Sequence, residues 1–300
     1  MNQNLHIFDR NLYGKRRQRL QSKSEAFSKL TSEIANRLVE RLRVFKKDFK
    51  TCWQIGFDNG AVFNLATNIS LPCMQKCEIF VTSDHTYTYN TPSIHPNNTY
   101  TYNVCCDEEA LPIDVDALDM IISPLGFQWV NDIKGTLLQC LYGLKPDGLT
   151  IAALIGEDSL WELQSVFRQI ESRLYGGVSN RFAPLISSQS ASSLLQSSGF
   201  ALPVVDRDRI ILSYPDVMTL LKDIKDSGHA NMLLDRQSPP LTKRFLMSAD
   251  DLYKEEFPLP GGRIQVTLDI VFMSGWSPSS KQQKPLKPGS AKYSLTNVLS

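Results

Sequence analysis

The stretch of this chain with the clearest potential for chemistry is Thr51-Cys52-Trp53-Gln54-Ile55-Gly56-Phe57-Asp58-Asn59-Gly60. It has the form of a short apolar strand running into a glycine turn, with a helix-like stretch after it from Ala61 to Ile69. A doubly wound α/β protein holds a nucleotide-like cofactor at such a turn, because glycine lets the backbone approach the ligand closely. The usual loop is acidic-x-Gly-x-Gly-x-Gly. Here Gln54 stands at the acidic position and Asp58 at the middle glycine, while Gly56 and Gly60 match. An ordinary strand-to-helix turn gives the same partial match, with Asp58 as a turn or capping residue.

Other reactive residues offer less. Cys73, Cys77, Cys105 and Cys106 could be forced into a four-thiolate zinc site, but the spacing fits no familiar ribbon or finger, and adjacent cysteines make poor tetrahedral partners. With Cys52 and Cys140 they are expected as free thiols in a reducing compartment, and no metal site is expected. His6, His85, His95 and His229 have no partner at motif spacing and are expected to be surface or structural residues. No catalytic dyad is legible.

A chain of 300 residues can bury a sizeable core as one large domain or a domain with an elaborate insertion. Its 32 Lys+Arg against 31 Asp+Glu provide no global field for nucleic acid. The basic bias is local, in Lys15 to Arg19 and Arg41 to Lys50, as expected of a solvated helix face or a docking surface for an acidic partner. No apolar run is long enough to span a membrane, and the start lacks the apolar centre of a signal peptide, so a cytoplasmic protein is the simplest reading.

The elements that must position the loop follow from periodicity. Residues 1–14 read as irregular. From Lys15 to Lys47, Leu20, Phe27, Leu30, Ile34, Leu38, Leu42 and Phe45 recur at helical steps and predict an amphipathic helix pair. Strands are expected at 51–56, 78–82, 117–123, 149–155, 202–205, 209–213 and 263–272. Helices are expected at 132–142, 159–174 and 187–197, and 215–256 reads as largely helical with breaks near Gly228 and Pro239-Pro240. Two near-copies, Thr86 to Asn90 and Thr99 to Asn103, alternate like strands, with a turn-rich link between them in place of the helix a doubly wound fold normally has. Alternating strands and helices predict an α/β fold with a mostly parallel sheet, an antiparallel edge and a helical insertion. The corresponding division is an N-terminal helical segment at 1–48, a core at 49–214 and 262–276, an insertion at 215–261 acting as a lid or docking element, and an extended tail at 277–300.

Several motifs carry a family resemblance. Asp107-Glu108-Glu109-Ala110-Leu111-Pro112, Ser123 with Gln128-Trp129-Val130-Asn131-Asp132, and Leu144-Lys145-Pro146-Asp147-Gly148 resemble class I S-adenosylmethionine-dependent methyltransferases of the branch containing the biotin-synthesis carrier-protein methyltransferase. The chain is more closely similar to the family of NADH:ubiquinone oxidoreductase (complex I) assembly factor 5 and its alphaproteobacterial relatives. That resemblance rests on Phe8-Asp9-Arg10, Gly176-Gly177-Val178-Ser179, Arg181-Phe182-Ala183-Pro184, the run from Leu194 to Asp206, Gly275-Trp276-Ser277-Pro278 and the run from Gln283 to Ala291.

The resemblance implies a Rossmann-like methyltransferase sheet with S-adenosylmethionine as cofactor. It assigns Gln54, Gly56 and Gly60 to the methionine and ribose parts, and Asp84 to the ribose hydroxyls. Asp107 and Glu108 fall at the adenine, and Ser123 at the methionine end. Gln54 lacks the charge that attracts the cofactor's ammonium group, and Asp58 adds bulk, so the loop is where affinity is most in question. Family members commonly carry histidine where Gln128 stands. The implied partner is a protein substrate, with a complex I subunit as candidate, and the implied place is the cytoplasm or the periphery of the inner membrane. The wider family includes a member that hydroxylates arginine, so methylation, hydroxylation and a non-catalytic assembly role all stay open.

Overall fold

The computed structural model describes residues 6–20, 25–56, 58, 60–85, 93–94, 98–236, 239–283 and 289–290. Two helices, α1 (Arg10–Leu20) and α2 (Glu25–Leu42), precede a central strand β1 (Thr51–Ile55) and the short helix α3 (Ala61–Asn68). Then come β2 (Ile79–Asp84), β3 (Ser93–Ile94), β4 (Tyr100–Cys105) and β5 (Leu118–Pro124). The second half runs α4 (Ile133–Gly143), β6 (Leu144–Ile155), α5 (Trp161–Tyr175), α6 (Ser188–Ser197), β7 (Ala201–Tyr214), α7 (Val217–Asp226), α8 (Lys243–Glu256), β8 (Pro258–Leu259) and β9 (Arg263–Trp276).

The strands form one sheet in the order β3-β4-β2-β1-β5-β6-β9-β7, with β8 against β9. Pairings from β4 through β6 are parallel, and β9 is antiparallel to both β6 and β7. The expected α/β architecture with an antiparallel edge is therefore present. Strand alternation sends Cys52, Met120, Ile122 and Ile151 to one face, under Ile34, Leu38 and Leu42 of α2 and Val62 of α3. It sends Trp53, Ile55, Ile121 and Leu154 to the other, under Leu137 of α4 and Leu195 of α6. A third apolar cluster joins α5, α7 and α8 to Ile264 and Val266 of β9.

Three expectations change. The segment read as irregular before Lys15 is helical from Arg10, because its ordering comes from contacts far along the chain, polar ones together with the packing of Leu12 and Tyr13 against Trp129, Met232 and Leu233, and not from an apolar stripe. The two short strands expected at 202–205 and 209–213 are one strand of 14 residues. Its Asp206-Arg207-Asp208-Arg209 centre stays extended by pairing with β9, and each charge finds a partner on its own face. The second Thr/Tyr copy forms β4, which pairs parallel with β2, while the first copy lies outside the described residues. Among the described residues no helix is long and apolar enough to cross a membrane.

Candidate functional site

The parallel strands diverge at β1 and β5, and their carboxyl ends are where an open α/β sheet builds its crevice. All seven expected site residues lie there. Gln54 is near the end of β1, Gly56 follows it, and Gly60 precedes α3. Asp84 ends β2, Asp107 and Glu108 follow β4, and Ser123 is in β5.

The glycine turn is closed upon itself. Gly56 has φ 95°, and a side chain on it would come within 2.7 Å of the Gly126 backbone after β5. The two loops touch backbone to backbone, which only glycine permits at both positions. The Asp58 side chain accepts hydrogen bonds from the backbone N–H groups of Gly60 and Val62 and from Gln54 Nε2, at 2.8, 2.8 and 2.9 Å. Asp58 thus satisfies the free N–H groups of the first turn of α3. Burial raises its pKa, against those hydrogen bonds.

The acids are not free either. Arg10 Nη2 donates to Asp107 Oδ1 at 2.7 Å and to Glu108 Oε2, and Arg10 Nη1 donates to the Trp129 carbonyl at 3.1 Å. Its guanidinium carbon lies 5.0 Å from the centre of the Tyr13 ring. Seven residues along α1, Arg17 Nη2 donates to Asp84 Oδ1 at 3.3 Å. Burial pushes the Glu108 carboxyl up although Arg10 opposes it, while Asp107 is held below its usual range because the Glu109 N–H and Arg10 outweigh burial. His85 completes the group: ligand atoms of His85, Asp107 and Glu108 all lie within 4.8 Å of one another.

A small cavity of about 10 Å³ remains between α1 and the loops, lined by Tyr13, Arg17, Gly56, Gly126, Trp129 and His229 among others. That is room for about one water. Around the same region, Gln54 Oε1, Ser123 Oγ, Glu108 Oε1, Trp129 Nε1 and His229 Nδ1 are buried with no hydrogen-bond partner among the described residues. Each such atom costs about 1–3 kcal/mol, so their convergence marks a place shaped for a polar ligand. Two carboxylate positions for hydroxyl and amine donors, a bare backbone at Gly56 and a set of unmet polar atoms fit S-adenosylmethionine by donor type.

No family model matches the chain. Over 98% of its length it is 32% identical to the mitochondrial arginine-hydroxylase NDUFAF5 of Rattus norvegicus, covering 84% of that protein. The chain belongs to the NDUFAF5 family. The Homo sapiens protein of that name is 29% identical over 97% of the chain and 83% of its own length. A malonyl-[acyl-carrier protein] O-methyltransferase from Gallionella capsiferriformans is 32% identical over 59% of each. Among solved structures, a candidate methyltransferase from Bacillus halodurans superposes with a TM-score of 0.51 at 11% identity, covering 81% of this chain and 98% of that one. At that identity the likeness concerns the fold alone.

Several residues of this NDUFAF5-family cleft are not legible as site residues in the sequence. Arg10 sits in the Phe8-Asp9-Arg10 motif and Arg17 in the basic run after it, so the family resemblance was the signal that could have found them, whereas Tyr13 carries no pattern. His229 lies in the loop after α7, stacked on Trp129 with ring centres 6.2 Å apart. Burial, and then the Arg17 charge, pulls its pKa down to about 3. Gln128, at the position where family members carry histidine, ties the end of β6 by accepting the Ile155 N–H at 2.7 Å. Asp132 caps α4 through the Gly135 N–H, and Asn131 Oδ1 accepts the N–H groups of Ile7 and Phe8.

Proposed function

We propose that this chain binds S-adenosylmethionine at the carboxyl ends of β1, β2, β4 and β5 and modifies a protein substrate during complex I assembly. The observation that supports this most is that Gln54 Oε1, Ser123 Oγ and Glu108 Oε1, at or just after the carboxyl ends of β1, β5 and β4, are buried without a hydrogen-bond partner among the described residues. When bound, the cofactor supplies an electrophilic methyl group. In this reading Asp84 accepts the ribose hydroxyls, Asp107 and Glu108 face the adenine, and Gln54 and Ser123 hold the methionine end. The segment 215–261 contributes the His229 loop as part of a cover that keeps water out. The place of work is the cytoplasm, at the periphery of the inner membrane.

A second reading is hydroxylation of an arginine, the activity in the relatives' name, for which dioxygen and a two-electron reductant would be co-reactants, one oxygen atom entering the C–H bond and the other leaving as water. The geometry that favours it is the Asp107–Glu108–Tyr13 cradle, which already holds one guanidinium, that of Arg10. One experiment separates the readings. S-adenosylhomocysteine is titrated into the purified chain, and complex I subunits incubated with it are examined by mass spectrometry. The expected results are saturable binding, weakened about tenfold or more by Asp84→Ala, and a mass increment on a substrate protein. A methyl increment supports transfer, and an oxygen increment the relatives' chemistry. Absence of both binding and modification sinks the enzyme reading and leaves a non-catalytic assembly factor.

A further inference from the structure

α1 is an unusual helix to find over a cleft. Its sequence, RNLYGKRRQRL, has no apolar stripe, so beyond the packing of Leu12 and Tyr13 in a small cluster with Trp129, Met232 and Leu233 it has little of the burial that fixes most helices. Its contacts are mainly ionic and polar, and they fall on two targets. Arg10 and Arg17 reach into the cleft, to Asp107, Glu108 and Asp84. The outer side is tied to the strap 228–236 that follows α7. Arg16 Nη1 donates to the carbonyls of Ala230 and Asn231 at 3.0 and 2.8 Å, the Asp9 N–H donates to the Met232 carbonyl at 2.8 Å, and Arg236 pairs with Asp9 at 3.0 Å. Helix and strap thus form one polar unit across the carboxyl ends of the strands.

The cations of that unit sit on the same three carboxylates that would receive the cofactor. A guanidinium and a ribose diol, or an adenine amine, compete for the same acceptor oxygens. With α1 seated, the cavity left beside Tyr13 and Arg17 is about 10 Å³ and holds about one water, not a cofactor.

We propose that α1 is an internal competitor for the cofactor: Arg10 and Arg17 occupy the carboxylates as stand-in ligands, and the cleft admits S-adenosylmethionine only when α1 and the 228–236 strap lift. This deepens the proposed function and rests on reading the cleft as a cofactor site. The closed state lowers apparent affinity in proportion to its population. It also gives the Gln54, Ser123 and Glu108 oxygens their use, since they gain partners only in the open, ligand-bound state.

The test is S-adenosylhomocysteine binding by calorimetry to the full chain and to Arg10→Gln/Arg17→Gln, with hydrogen exchange of residues 10–20 followed in the unsubstituted protein with and without saturating ligand. The expected results are about tenfold or more tighter binding by the double variant and faster exchange of α1 amides in the ligand-bound unsubstituted chain. Unchanged or slower exchange of α1 on ligand binding overturns the proposal whatever the variants do, and does not depend on their folding. In that event the cofactor reading stands and the competitor fails. If no protein binds the ligand, both are overturned.

Discussion

Gln54 and Asp58 depart from the usual cofactor loop, and the two departures compensate each other. Gln54 is fully buried, and its amide donates to the Asp58 carboxylate and to the Gly56 carbonyl. Restoring the usual acid with Gln54→Glu sets two buried carboxylates face to face. This change is expected to destabilise the chain by about 2–4 kcal/mol, read as a lower urea midpoint, and Gln54→Glu/Asp58→Asn to recover about half of that. A Gln54→Glu protein as stable as its parent would mean that the loop is not held this way. The capping role of Asp58 was legible because helix N-termini favour such residues locally. The occupation of Asp84 and Asp107 by Arg17 and Arg10 was not, because no local pattern pairs residues 67 and 97 positions apart.

His229 belongs to the same scale. Its folded pKa is pulled to about 3 from an ordinary value of 6.5. Above 6.5 the ring is neutral in both states and has no effect. As pH falls below that value the unfolded chain takes up a proton that the folded chain refuses, so stability declines down to about 3. Between about pH 7 and about pH 5.5 this loss is about 1 kcal/mol. His229→Gln should remove that part of the decline in the denaturation midpoint, while leaving the steeper carboxylate-driven loss at lower pH.

Among the elements, β7 and α2 are tied by ion pairs at the edge of the sheet. As the outer strand, β7 exposes Leu202, Val204 and Ile211 and would invite pairing with other chains if nothing blunted it. Its charges do so. Arg41 of α2 pairs with Asp206 at 2.5 Å and Asp208 at 3.0 Å, and its guanidinium lies 3.6 Å from the Phe272 ring centre. Arg37 joins Asp208 at 2.7 Å, and Arg209 meets Asp158 on the opposite face at 2.5 Å. Arg41→Ala should cost about 1–2 kcal/mol, and Arg41→Lys should restore less than half of it, because an ammonium cannot stack and bridge two acids together. Thermal melts of the two variants check this. Helices α2, α4, α5 and α6 were legible from apolar spacing. The unity of β7 was not, since its polar centre resembles a turn when β9, its partner, is out of view.

At the scale of the whole molecule, the competitor helix couples the beginning of the chain to its final third. The Arg16 contact with Ala230 spans 214 positions, and the Arg236 contact with Asp9 spans 227. The parallel sheet from β4 to β6 and the acids at its ends need none of those contacts. The resemblance placed the acids at one site but could not foresee a helix seated over them, because α1 carries no apolar pattern to announce its docking.

That separation has a consequence for the order of events at the ribosome. Helix α1 leaves the exit tunnel long before it can find its seat, because its partners at 228–236 are made more than two hundred residues later and long loops close slowly. The nascent chain therefore passes through an interval in which the strands that carry Asp84, Asp107 and Glu108 have been made and the 228–236 partners of α1 have not. A small molecule present during synthesis meets an open cleft, and one added to the finished protein meets a closed one. The history of a preparation then sets how fast its cleft fills, while its composition sets how full it becomes.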